Sequence, residues 1–210
     1  MLHRDPFIIS QETYELIQKL QVIPDLAGFY LVGGTSLALQ LGHRNSIDID
    51  LFTQNSFDTF KIKEILGKSF DLNVDLETSN TLLAHVNSIK VDFITHPYSL
   101  VKDPITEDGI TYLSKEDIAA MKLNAIARSG QRIKDFIDVY FLLESLSIND
   151  MLKCFATKYP NSNQLIALKA ISYFDDIDPK IDPPQMKQPV SLETIKKRIT
   201  EAVLHPYKTF

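Results

Sequence analysis

The chain has 210 residues, of which 44% are apolar and 23% charged, a globular composition that excludes wholesale disorder, collagen or coiled coil. Its single cysteine, Cys154, excludes an internal disulfide framework and any multi-cysteine zinc or iron–sulfur site. Twenty-two Lys and Arg against 27 Asp and Glu give a net charge of −5, which argues against broad nucleic-acid binding but allows a local phosphate pocket.

No window approaches the roughly 18 uninterrupted apolar residues of a membrane span. The start, MLHRDPFIIS, has no basic stretch leading into an apolar run. A cytoplasmic, membrane-free protein is therefore expected.

In chain order, AGFYLVG (27–33) reads as a buried strand ending in glycine. Residues 37–41 are an apolar helical stretch. IDIDLFT (47–53) alternates, with Ile47, Ile49 and Leu51 on one face and Asp48 and Asp50 on the other. FDTFKIKEILGKSF (57–70) has helical spacing, with Phe57, Phe60, Ile65 and Leu66 available for one side. DLNVDLET (71–78) is a strand, and 81–96 a hairpin folded at Asn87-Ser88. From Ser114 the strand signal fades. Ser114 followed by Asp117 starts a helix, and helical patterns cover 114–128, 131–146, 148–158, 163–174 and 191–204. The acidic, proline-rich 175–184 reads as an exposed connector. The expected fold class is α+β: an N-terminal unit of mixed sheet and helices over 1–112, then a helical unit over 113–210.

Three features carry chemistry. Gly33-Gly34-Thr35-Ser36 stands between a strand and a helix, where glycines admit close backbone approach and helix amides favour phosphate. The same dipeptide also serves as a plain tight turn. Period two places Asp48 and Asp50 about 7 Å apart on one strand face. They are either a solvated edge face or a divalent-cation site of hard oxygens. Asp92 lies in a second alternating strand, either on a solvated hairpin face or, if that strand neighbours the first, beside Asp48 and Asp50. Three carboxylates could hold metal ions or include a general base for a hydroxyl.

Together these resemble the nucleotidyltransferase superfamily with the polymerase-β-like fold. Gly33-Gly34 is followed by thirteen residues, then Asp48-Ile49-Asp50, then Asp92 on a later strand. GGTSLALQLGHRNSIDIDLF (33–52) and LSKEDIAAMKLNAIARSGQRIKDFIDVYFLL (113–143) are similar to the motifs of the AbiEii toxin nucleotidyltransferases. The resemblance implies phosphate contact by Gly34 and Ser36, metal binding by Asp48 and Asp50, and functional roles for Lys122 and Asp138. Lys134-Asp135 stands where the family often has Arg-Asp, which keeps the charge but loses the planar fork.

Read from the residues alone, Lys122 shares a helix stripe with Ile118, Met121 and Ala125, so it either snorkels or points into a cleft. Arg132, Asp135 and Asp138 follow one helix ridge, which ordinary salt bridges also explain. Arg44 and Arg128 are either phosphate contacts or surface charge. His43, His85 and His96 lack metal-ligand spacing, and Cys154 reads as a small buried residue.

The expected activity is magnesium- or manganese-dependent transfer of a nucleoside monophosphate from an NTP to an acceptor hydroxyl. The expected catalytic residues are Asp48, Asp50, Asp92, Lys122 and Asp138. Asp48, Asp50 and Asp92 would hold metal, and Gly33, Gly34, Ser36 and Lys122 phosphate. The resemblance implies a toxin, a tRNA 3′ end or a protein as acceptor, and a separately encoded antitoxin. The alternatives are a binding module without catalysis and a small-molecule nucleotidyltransferase of the antibiotic-modifying type.

Overall fold

The computed structural model of the chain describes residues 1–178, 180–181 and 183–210. Part of the expected connector, Pro179 and Asp182, lies outside the described residues. The chain forms two compact units. The first comprises Met1–Tyr98 and Pro104–Leu113. The second comprises Ser99–Asp103 and Ser114–Phe210.

The first unit is built on a seven-stranded sheet. Its strands are β1 (Tyr30–Val32), β2 (Ile49–Thr53), β3 (Leu72–Thr78), β4 (Thr81–Val86), β5 (Ile89–Thr95), β6 (Ile105–Glu107) and β7 (Ile110–Tyr112). They stand in the order β3-β4-β5-β2-β1-β7-β6. β2 runs parallel to β5 and antiparallel to β1, and β7 runs parallel to β1, so the sheet is mixed. Asn87 and Ser88 both have positive φ (50° and 67°), the backbone of a two-residue turn whose twist suits a hairpin. The same geometry recurs at Asp108-Gly109 between β6 and β7.

Alternation along the strands separates two faces. Leu31, Ile49, Leu51, Leu82, Val91 and Phe93 are buried and share a core with Leu16, Ile17 and Leu20 of α1 (Gln11–Gln21) and Ile62 and Leu66 of α3 (Thr59–Ser69). Burying these side chains is the main favourable term for the unit. The expected stripe of α3 is corrected at one position: Phe60 is 59% exposed and lies under the Lys63 ammonium. The i, i+4 pair Ile62 and Leu66 faces the sheet instead, and a residue two positions from Ile62 falls on the far side of a helix. Between β1 and β2 runs α2 (Gly33–Leu41), closed at its C-terminus by Gly42 in the left-handed conformation.

The second unit is helical: α4 (Lys115–Arg128), α5 (Ile133–Leu142), α6 (Ile148–Lys158), α7 (Gln164–Ile171) and α8 (Leu192–Leu204). Ser114 caps α4 as expected, accepting from the Asp117 amide at 3.1 Å and donating to Asp117 Oδ2 at 2.7 Å. Asp117, with no exposed surface, does more than cap. Its carboxylate accepts from the amides of Val101 (2.9 Å) and Lys102 (3.1 Å) and from Lys158 Nζ (2.9 Å). That network places residues 99–103 in the second unit, although the N-terminal unit was expected to run unbroken to 112.

Among the described residues, no helix is long and apolar enough to cross a membrane.

Candidate active site

β1 ends at Val32, and α2 begins at once with Gly33. The first turn of α2 has no side-chain cap, so its leading amides are left for another partner. Gly33 has φ +68°, and Asp50 Oδ2 occupies the space that a Cβ would fill. The register Val32↔Asp50 between β1 and β2 produces this approach. At Gly34 a Cβ would strike Arg44 Nη2. Both glycines are therefore required by close contacts, Gly33 by backbone conformation as well.

Arg44 is not surface charge. It is 2% exposed, and its Nη1 donates to the Asn45 carbonyl at 2.9 Å. The guanidinium stands behind the Gly33-Gly34 turn and adds positive potential where the helix dipole already points. Thr35 is equally buried. Its hydroxyl donates to the Asp48 carbonyl and lies 2.8 Å from the Ser46 hydroxyl, which ties the start of α2 to the chain entering β2. Ser36 is 1% exposed and accepts from Gln40 Nε2 at 3.1 Å.

Asp50 and Asp92 alternate with the buried Ile49, Leu51, Val91 and Phe93, so they lie on the face of the sheet opposite the apolar core. Asp50 and Asp92 are register partners on parallel β2 and β5. Asp48 immediately precedes β2. Asp92 Oδ1 is buried and has no hydrogen-bond partner, an arrangement that costs free energy unless something is bound there. Asp92 Oδ2 lies 3.4 Å from Lys90 Nζ.

Lys90, two positions before Asp92 on the same face, was not singled out in the sequence. Burial weighs against its charge, but the fields of Asp92, Asp48 and Asp50 outweigh it and hold the ammonium above its ordinary pKa. One lysine thus senses all three carboxylates. The i, i+2 relation of Lys90 and Asp92 was the available signal.

Among the described residues, no three His, Cys, Asp or Glu side chains are already arranged around one metal position. The donor chemistry still fits a hard divalent cation: two carboxylates of register partners on adjacent strands, one of their oxygens buried without a partner.

Lys122 and Asp138 belong to the second unit and form a cluster there. Lys122 Nζ stands 2.7 Å from Asp135 Oδ1 and 2.7 Å from Asp138 Oδ2. All three side chains are buried, Asp138 completely. Asp135 and Asp138 lie one turn apart on α5 and converge on one residue of α4. Arg128 is exposed. His43 is buried, and His85 Nδ1 is 2.9 Å from Asp75. Cys154 is a buried free thiol, as expected.

Residues 16–205 match the family described as nucleotidyl transferase AbiEii toxin, type IV TA system. The chain belongs to the AbiEii family. AbiEii membership makes it a nucleotidyltransferase that uses an NTP. Over 174 residues it is 33% identical to the uncharacterized protein aq_aa25 of Aquifex aeolicus, covering 80% of this chain and 84% of the relative. The AbiEii chain is also similar in fold to MenT4, the nucleotidyltransferase toxin Rv2826c of Mycobacterium tuberculosis. That likeness has a TM-score of 0.57 at 16% identity and covers 92% of this chain and 84% of MenT4. JHP933 from Helicobacter pylori gives 0.56 at 16% identity, over 95% and 93% of the two chains. The expected α+β fold of nucleotidyltransferase type is the one observed.

Proposed function

We propose that this nucleotidyltransferase is the magnesium-dependent toxin of a toxin–antitoxin pair in the cytoplasm, moving an NMP onto a hydroxyl of a tRNA 3′ end or of a protein. The observation that carries the chemistry is the in-register pairing of Asp50 with Asp92 beside the Gly33 turn, with Asp92 Oδ1 unpartnered.

In this reading Asp48, Asp50 and Asp92 hold the metal, which when bound neutralises triphosphate charge. The amides of Gly33 and Gly34 donate to phosphate oxygens, with Arg44 behind them as fixed positive charge. The Ser36 hydroxyl, which accepts from Gln40, keeps its own proton for a phosphate oxygen. The acceptor oxygen bonds to the α-phosphorus as the bond to pyrophosphate breaks, and pyrophosphate leaves. The hydroxyl proton goes to Asp92 Oδ1, the buried carboxylate oxygen without a hydrogen-bond partner. Positioning and electrostatics supply most of the rate. Lys122 and Asp138 form the second functional cluster. The family resemblance supports that assignment.

The test is incubation of the protein with each α-labelled NTP, magnesium and total tRNA, beside Asp48→Ala. Label in RNA that is absent in the variant establishes transfer to tRNA and names the nucleotide. Label on protein establishes protein modification. Label on neither, while NTP still binds, overturns the reading in favour of a binding module. Co-expression with the neighbouring reading frame tests the antitoxin: growth arrest relieved by that partner is expected.

A further inference from the structure

Three carboxylates on one sheet face repel one another, and a protein that meets its metal only intermittently needs a way to hold them meanwhile. The cation beside Asp92 is Lys90. It projects from the same face of β5 as Asp92, and its ammonium is 3.4 Å from Asp92 Oδ2. Directly across the β4–β5 ladder from Lys90 is His85, which is held by Asp75 at 2.9 Å. Lys90 itself is 44% exposed at its side chain, whereas Asp92 is only 15% exposed. The lysine can therefore swing into solvent, and the carboxylate cannot.

We propose that Lys90 is the resident counter-cation of the Asp48–Asp50–Asp92 cluster: it orients Asp92 before a divalent ion arrives and competes with that ion for the site. Lys90 has this role only if those carboxylates bind metal as proposed above. Its action is on Asp92, so it is a positioning residue. A unit positive charge at near-contact distance repels an incoming dication, and its exposed stem lets it withdraw once the ion is seated. The lysine sets a threshold: without substrate phosphates to add negative charge, the ion binds weakly.

The test titrates Mn2+ alone, without nucleotide, into the full-length wild type, Lys90→Gln, Lys90→Arg and Asp50→Asn, following free Mn2+ by electron paramagnetic resonance. Lys90→Gln is expected to bind roughly threefold to tenfold more tightly than wild type, the range for removing one nearby charge in a solvent-rich setting. Lys90→Arg is expected to stay within about twofold of wild type, since the charge is kept. Asp50→Asn is expected to bind least. A melting profile in chelator confirms that each variant is folded. Equal or weaker binding by Lys90→Gln, with wild type still binding better than Asp50→Asn, overturns the role of Lys90 and leaves the metal site standing. Indistinguishable binding by all four proteins overturns both.

Discussion

The Asp50 carboxylate occupies the space where a side chain on Gly33 would begin. The glycine is thus fixed by the acid and the acid by the glycine. Gly33→Ala adds a methyl group both at φ +68° and against Asp50 Oδ2. A loss of about 1–3 kcal/mol in folding stability is expected, measured by urea unfolding. Nucleotidyl transfer should fall further than stability explains, because Asp50 must turn aside. An alanine variant with wild-type stability and rate would show that the turn tolerates a side chain.

Asp50→Asn keeps the size of the side chain and removes its charge. Transfer of label from α-labelled NTP should drop by about 100-fold to 1,000-fold, the scale for losing one element of preorganised charge stabilisation. A melting profile checks that the variant remains folded. A joint loss of activity and folding would mark Asp50 as structural.

Lys158 and Asp117 are both essentially without exposed surface, and their contact at 2.9 Å is supported by Ser114 and two loop amides. Removing only one partner strands the other charge. Lys158→Met should cost about 3–5 kcal/mol in chemical denaturation. The double change Lys158→Met with Asp117→Asn should cost less than the single change. Additive losses would mean that the two residues do not act as a pair.

The Lys122 cluster invites the same comparison with a functional readout. Lys122→Met leaves Asp135 and Asp138 without their shared ammonium, and a loss of several kcal/mol is expected. Assayed at a temperature where the variant remains folded, transfer should also be reduced. Full activity in the folded variant would assign Lys122 to stability alone.

Burial, reinforced by Glu116, Asp117 and Asp150, pushes the Cys154 thiol up to about 11. The proton is held more tightly folded than unfolded, so this contribution to stability is whole below pH 9.0, the thiol's ordinary value, and is lost as pH rises toward 11. At pH 8 the native thiol should react with a disulfide reagent at least about tenfold more slowly than in the unfolded chain. Rapid native-state labelling at pH 8 would contradict its environment.

Much of the fold is legible where local chemistry and periodicity agree. Asn87-Ser88 marks a hairpin because few residues accept positive φ, and Ser114 with Asp117 marks a helix start because hydroxyl and amide pair locally. The order of the glycines and the three aspartates survives because spacing along strands carries over directly into position on a sheet. Other features need the third dimension. Strands β6 and β7 have only three residues each, too few to show a period. Helix α1 lies outside the elements read from the sequence, although Ser10 caps it and Leu16, Ile17 and Leu20 have helical spacing. Nothing local distinguishes Arg44 from a surface arginine, since its burial follows from the path of the chain past Gly34. The pull of Asp117 on Val101 and Lys102 is likewise invisible in a capping motif that looks complete by itself.

That last contact interleaves the two units along the gene. Residues 99–103 serve the second unit, yet β6 and β7 of the first are encoded after them. On the ribosome the sheet cannot be finished when residue 98 emerges, because β7 still has to arrive and pair with β1. The loop waits longer still, until Lys158 has been made. A gene fragment stopped at 98 would leave β1 as an open edge, and one begun at 114 would leave Asp117 and Lys158 without the loop they hold. The two units are thus inherited, and broken, together.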